Sequence, residues 1–346
     1  MFPATLCRTK LSSTMAHFYS LLLLTGLVHL HIQISSSANP FPNATVYIFS
    51  PGNDNYVQSI CDSVFKINGG TNPAFNGQWS NQRFALLFQP GIYNVDCNVG
   101  YYTSIIGLGS TPSETQIRNV ISPDGDSQQS GGALCNFWRS AENFMTTPTQ
   151  TQNGHSNTMM WAVSQGASLR RIIVNGNLDL YQNPGYSSGG YLSNSIISGT
   201  ISSGTQQQWY TRNTNMKSWN GGNWNMVYQG VTNTPNDVCQ NRTSLYTSID
   251  TTPIIAEKPY LSYENGNYYL NIPPIEYNKM GPTNYNDSMD EKIDFSNVYV
   301  TDANIDTASS INAKISAGMH IVLSGGNYNL TQPIQVTFNF LIRGNP

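Results

Sequence analysis

The chain has 346 residues, a formal net charge of −3 and only 10% charged side chains, against roughly 25% in an ordinary soluble domain. Its 40 Asn, 29 Gly and 20 Tyr exclude long exposed helices laced with Glu–Lys pairs, and with them a coiled coil, a helical bundle or a basic nucleic-acid binder. With 39% hydrophobic residues the chain can build a core, so the composition describes a large, neutral, turn-rich β protein rather than a disordered one.

Residues 18–34 are mostly apolar, with Arg8 and Lys10 upstream and Ser36-Ser37-Ala38 following. A positive flank, an apolar run and then small residues is the layout of a secretory signal over residues 1–38. The competing reading is a membrane anchor, but His29, His31 and Gln33 shorten the run below the ~20 residues a span requires. The expectation is a secreted, extracellular protein that leaves the membrane once the signal is removed. Cys61, Cys97, Cys135 and Cys239 remain after the leader, an even number that allows three disulfide pairings. None has metal-ligand spacing, and no metal or other cofactor is expected. Acceptor sequons for N-glycosylation stand at Asn43, Asn241, Asn286 and Asn329.

The first strand expected is Val46-Tyr47-Ile48-Phe49, followed by an amphipathic helix with Val57, Ile60, Cys61 and Val64 at helical spacing. Phe84-Ala85-Leu86-Leu87-Phe88 is apolar on both faces, as a fully buried strand is. Pro90-Gly91 turns the chain into Tyr93-Asn94-Val95, and Ser104 to Gly109 forms a third short strand. Further strand-like pieces lie at 143–145, 171–174, 195–197, around Trp209-Tyr210, and at 225–228. Short strands closed by Gly or Asn, with loops of uneven length between them, are the pattern of a parallel β-helix. A β-hairpin is expected at 259–272, with Glu264-Asn265-Gly266-Asn267 linking its two strands.

An internal repeat reorganises this picture. Val46-Tyr47-Ile48 returns as Val298-Tyr299-Val300, and the stretch around Ile60 returns around Ile311. Leu86 to Val95 returns as Ile321 to Leu330, and Gly91 and Gly109 are spaced like Gly326 and Gly344. The expected organisation is a signal over 1–38, a right-handed parallel β-helix with an N-terminal capping helix over 46–258, a β-hairpin and linker over 259–297, and the opening segment of a second, truncated β-helix over 298–346. On this reading the chain is an incomplete piece of a two-module protein. The alternative is a last segment that merely packs onto the first module.

The stretches Arg83 to Gly91 with Tyr93-Asn94-Val95-Asp96, Gly100 to Gly109, Ala133 to Arg139, Met160 to Gln165, and Gln206 to Tyr210 through Trp219 to Val227 resemble secreted microbial right-handed parallel β-helix proteins of the pectate-lyase-like superfamily. The tandem arrangement is similar to that of two-β-helix glucan hydrolases such as the exo-β-1,3-glucanases. That resemblance implies a substrate cleft between two helices, with part of the catalytic apparatus on the second.

Glycoside hydrolysis commonly needs two carboxylates flanking the scissile bond. Between Gly100 and Val231 the carboxylates are Glu114, Asp124, Asp126, Glu142 and Asp179. Glu142, after Trp138-Arg139, and Asp179, after a strand, are the catalytic candidates. The structural alternatives are an Arg partner for Glu142 and a turn cap for Asp179. Asp124 and Asp126 read as turn residues and His155 as a solvated loop residue. A β-eliminative lyase fits less well, because no Asp-rich calcium cluster is visible.

Trp138, Trp161, Trp209, Trp219 and Trp224 fall among Asn, Gln and Gly, and indole faces suit the C–H faces of sugar rings. About half of the five are expected in the core. Trp209, Trp219 and Trp224, with Gln208 and Arg212 as polar partners, are the expected sugar platform. The function these residues point to is a secreted polysaccharide hydrolase of glucan type. The alternative is a non-catalytic glycan-binding or adhesion protein on the same scaffold. In either case the partner is a polysaccharide and not a nucleic acid.

Overall fold

The computed structural model describes residues 39–71, 75–125, 132–235, 245–283, 285, 290–336 and 342–344. The expected leader, Asp126, Cys239 and the sequons at Asn241 and Asn286 lie outside them. No helix among the described residues is long and apolar enough to cross a membrane.

The chain opens with β1 (Val46–Phe49), α1 (Asp54–Asn68), β2 (Phe84–Phe88), β3 (Gly91–Asn98), β4 (Thr103–Gly107), β5 (Thr115–Ile121) and β6 (Arg139–Thr146). It continues with β7 (Thr158–Met160), β8 (Ala167–Val174), β9 (Asn177–Asp179), β10 (Tyr191–Ser193), β11 (Ile196–Ser202), β12 (Gln208–Arg212), β13 (Asn215–Asn220), β14 (Asn225–Gln229) and β15 (Tyr246–Ile249). One wall is the parallel series β1-β2-β4-β6-β8-β10-β12-β14-β15. The ends of β6 and β8 bend into a second wall, where Met145 pairs Ile173, Ile173 pairs Ile196 and Ile196 pairs Asn215. A third wall joins β7, β9 and the later halves of β11 and β13. Parallel strands stacked coil on coil in this way fit a β-helix.

The bend between the first and second walls gives three of the asparagines a defined role. Asn143, Arg171, Asn194 and Asn213 stand there one above another, all with φ between 45° and 59°. Asparagine enters this left-handed region more readily than other non-glycine residues, because its short amide bonds locally. Asn143 Nδ2 donates to the Gly107 and Gly109 carbonyls at 2.8 Å.

The core runs down the stack from Phe49, Leu86 and Phe88 through Ile105, Phe144 and Leu169 to Leu192, Trp209 and Met226. The N-cap of α1 is Asn53, whose side chain accepts from Tyr56 N at 3.2 Å, and Val57, Cys61 and Val64 face the core. Cys61 and Cys97 form a disulfide with a Cα separation of 5.4 Å, tying α1 to β3. Cys135 is a free thiol.

Beyond the stack come β16 (Thr252–Ala256), β17 (Tyr260–Glu264), β18 (Asn267–Ile272), β19 (Ile275–Lys279) and β20 (Glu291–Asp294). β17 and β18 form the expected hairpin, with φ of 50° and 89° at Asn265 and Gly266, as a two-residue type I′ turn requires. β16 pairs antiparallel with β19, so the pairing crosses the expected boundary at residue 258. β21 (Val298–Val300), α2 (Ala308–Ser316), β22 (His320–Leu323) and β23 (Ile342–Gly344) then repeat the order strand, helix, parallel strand, parallel strand. No strand forms at 327–330, where the repeat predicts one.

The double-sided apolarity of β2 has a direct cause. Phe84, Leu86 and Phe88 enter the inner core, while Ala85 and Leu87, with Ile106 and Leu108, pack outward against Leu261, Tyr268, Leu270, Val298 and Val322. Tyr263 N donates to the Leu108 carbonyl at 2.7 Å. The hairpin and the second strand–helix unit are therefore docked on the outside of the first wall. Asn43 joins this contact, its Nδ2 donating to the Gly325 carbonyl. The nitrogen that would carry a glycan at that sequon is thus engaged in the fold, whereas Asn329 is exposed.

Candidate functional site

On the first wall, alternate residues point inward and the others form two outward ladders. One runs Ser140, Ser168, Tyr191, Tyr210, and the other Glu142, Arg170, Ser193, Arg212. Period-two alternation within each strand and parallel in-register stacking between strands place these residues in rows. At the first coils the outward row is apolar and covered by the hairpin. From β6 onward it is charged and aromatic.

That second half meets the segment 257–260 in a small trough lined by Glu142, Arg170, Arg171, Ser193, Glu257 and Lys258, among others. Glu142 is buried and accepts from Lys258 Nζ at 2.6 Å. Glu257, also buried, accepts from Arg212 Nη2 at 2.9 Å and from Asn213 Nδ2 at 3.0 Å. Arg170 lies 4.5 Å from the centre of the Tyr191 ring, and Tyr210 donates to Gln229 Oε1 at 2.6 Å.

Arg171 closes one end. It holds φ of 50° where its stacked neighbours are asparagines, a conformation that costs a long side chain on the order of 1–3 kcal/mol. Its guanidinium donates to Asn143 Oδ1 at 3.0 Å and to the Ser110 carbonyl at 2.8 Å, and lies 3.8 Å from the Tyr260 ring and 5.0 Å from that of Tyr285. Burial pushes the phenols of Tyr260 and Tyr285 up, against the opposing pull of Arg171. The trough thus gathers two carboxylates, three guanidiniums, hydroxyls and aromatic rings in one place, the side-chain types that hydrogen-bond and stack on sugars, here largely engaged with one another.

Of the two sequence-predicted carboxylates, only Glu142 is here. Asp179 lies on β9 in the third wall, fully buried. It accepts from Asn153 Nδ2 at 2.8 Å and pairs with His155 Nδ1 at 3.0 Å. The two candidates therefore do not meet, and His155 is a partner of a buried carboxylate rather than a plain solvated loop residue. Asp124, expected in a turn, is buried. Glu257, the second carboxylate of the trough, is missed by sequence reasoning because it lies outside the strand repeat.

The expected tryptophan platform is corrected in part. Trp209 sits between the outward-facing Gln208 and Tyr210, so alternation turns it into the core, where it is 3% exposed. Trp219 packs on the core at the end of the stack, its indole donating to the Gly221 carbonyl at 2.7 Å and meeting Tyr228 edge-on at 5.2 Å. Trp224 is 65% exposed, at the start of β14. Arg212 belongs to the trough through Glu257. Among the described residues the exposed tryptophans are Trp79, Trp138 and Trp224, while Trp161 is fully buried.

No family model matches the chain. It is 38% identical over 294 residues to an exo-beta-1,3-glucanase of Streptomyces sp. strain SirexAA-E / ActE, an alignment covering 84% of this chain and 46% of the relative. The structure of sacteLam55A from Streptomyces sp. SirexAA-E superposes with a TM-score of 0.78 at 34% identity, over 88% of this chain and 53% of that one. A variant of sacteLam55A in complex with glucose gives 0.77 at 33% identity, with the same coverage. The chain spans about half the length of the relatives it matches, and in that half it shares their fold.

Proposed function

We propose that this chain acts in the hydrolysis of a glucan outside the cell, and that the trough on its first wall is one side of the substrate cleft. The reading takes the stack as a right-handed parallel β-helix capped by α1, and residues 298–346 as the opening of a second one. The observation that carries it is the meeting of Glu142 and Glu257 in one trough beside Arg170, Arg171 and Arg212, since glycosidic cleavage is ordinarily the work of paired carboxylates. The likeness to an exo-beta-1,3-glucanase and to a protein solved with glucose supports β-1,3-glucan as the substrate class. Export rests on the signal-like leader. A second reading, glycan binding without catalysis, draws on a specific feature. Both carboxylates are already held by cations, Glu142 by Lys258 and Glu257 by Arg212.

The test is binding and hydrolysis of short laminari-oligosaccharides by the chain, by calorimetry and by product release. Hydrolysis that falls at least about a hundredfold in Glu142→Gln, the scale of a removed catalytic acid or base, supports the first reading. Binding weakened by Arg170→Ala without any product release supports the second. Absence of both binding and release from a folded chain refutes the trough as a glucan site.

A further inference from the structure

The corner where the third wall turns into the first carries a second surface, formed by different residues. Trp138 stands just before β6 and Trp224 just before β14, 48% and 65% exposed. β6, β8, β10, β12 and β14 are successive neighbours in the first wall. The two indoles are therefore four strand steps, ~19 Å, apart along the stacking axis.

The floor between them is kept low. Gly166 and Gly189 follow Trp138 in its row on the next two coils, both with positive φ, at 71° and 94°, and Gln208 takes the row on the third. A side chain at Gly166 would meet the Trp138 ring at 3.5 Å, and one at Gly189 would meet Gln165 at 3.1 Å and the Gln208 amide at 3.7 Å. Gln165 is exposed and Gln208 half-buried, so two amides border the floor.

Trp138 holds φ of 54°, a conformation a bulky residue rarely adopts, in a row where the next two coils use glycine. Its ring does not repay this by filling the core, because half of it faces solvent. Tyr102, one coil earlier and also at positive φ (52°), is by contrast covered by Arg83 at 3.7 Å and buried.

We infer that the edge from Trp138 to Trp224 is a polysaccharide-binding track, on which a neutral glycan chain lies along the stacking axis with its sugar faces on the two indoles and its hydroxyls on the Gln165 and Gln208 amides. The named residues of the track carry no charge, which fits a neutral polymer and not an acidic one. Trp138 and Glu142 are four residues apart in an extended chain, placing the track ~13 Å from the trough. It rests on the glucan reading above only for the identity of the sugar. A short oligosaccharide occupying the trough need not touch it, whereas a long chain can engage both.

The test is affinity electrophoresis of the chain in gels containing laminarin, hydroxyethyl cellulose, xylan or polygalacturonate. The variants are Trp138→Gly, Trp224→Ala, the double variant, and Tyr277→Ala, which removes an exposed ring outside both the track and the trough. Glycine at 138 accepts the backbone conformation that its coil neighbours already use, and thermal melting checks that each variant is folded. Laminarin should retard the parent, each single substitution should raise the apparent dissociation constant at least about fivefold, and the double variant should raise it further, while Tyr277→Ala stays retarded like the parent. Retardation by hydroxyethyl cellulose or xylan but not laminarin, with the same tryptophan dependence, supports the track and overturns β-1,3-glucan as its ligand. Retardation of the double variant equal to the parent, or a parent retarded by polygalacturonate alone or by no polymer, overturns the track.

Discussion

Glu257→Ala leaves two donors on the first wall facing an empty space. Glu257 is 4% exposed and accepts from Arg212 at 2.9 Å and Asn213 at 3.0 Å, so the substitution strands a guanidinium and an amide together. Removing one partner of a fully buried ion pair costs about 3–5 kcal/mol. Arg212 retains 18% side-chain exposure, so water reaches part of its guanidinium and the expected loss is about 2–3 kcal/mol. Glu257→Gln keeps an acceptor for Arg212 and gives up mainly the charge, for an expected loss of about 1 kcal/mol. Glu257 also neighbours Lys258, so freeing this segment loosens the contact from Lys258 to Glu142. Urea denaturation followed by tryptophan fluorescence, with Arg212→Met alone and combined with Glu257→Ala completing a double-mutant cycle, measures these terms. A Glu257→Ala chain within about 0.5 kcal/mol of the parent, or a Gln variant as damaged as the Ala variant, refutes the ion pair as the fastening of the trough.

Gly190→Ala places a Cβ 2.0 Å from the Trp209 ring at a φ of 150°; a loss of about 3 kcal/mol or more by thermal melting is expected from overpacking, and an unchanged melt refutes the packing of Trp209. Cleavage of the Cys61–Cys97 bond releases a closed loop of 36 residues, so Cys61→Ala with Cys97→Ala should lose roughly 4 kcal/mol, read as a shift of the denaturation midpoint that added reductant no longer increases. Burial raises the Tyr101 phenol to about 12. The unfolded chain therefore releases this proton first, near pH 10, and the stabilisation present below pH 10 is lost as pH rises to about 12, by roughly 2–3 kcal/mol for this group. Stability measured from pH 9 to 12 for the parent and Tyr101→Phe tests this, and identical slopes refute it.

The residues of α1 and β2 show how far local pattern carries. Val57, Cys61 and Val64 recur at helical spacing and form the buried face of α1, and the unbroken apolarity of Phe84 to Phe88 marks a strand packed on both sides. Asn265-Gly266 is equally local, because the two left-handed residues of a tight turn are adjacent in the chain. The repeat of strand, helix and strand near the C-terminus is legible for the same reason. The strands β7, β9 and β13 are not, since three-residue pieces and mixed polar strands carry too little alternation to stand out.

By itself, the sequence determined a turn-rich stack of short strands, a helix at its start, and an uncharged surface dominated by amides. It also singled out Glu142 and Trp224, though not what lies beside them. Only the tertiary structure decided that Glu142 meets Glu257 and not Asp179, and that Trp209 turns inward while Trp138 and Trp224 face out. The physical reason is that each coil contributes one residue to each row of the wall, so Glu142, Arg170, Ser193 and Arg212 become neighbours only when the strands stack in register. A slip of one residue in any strand would exchange its inward and outward sets, and no local pattern records which register the long loops permit.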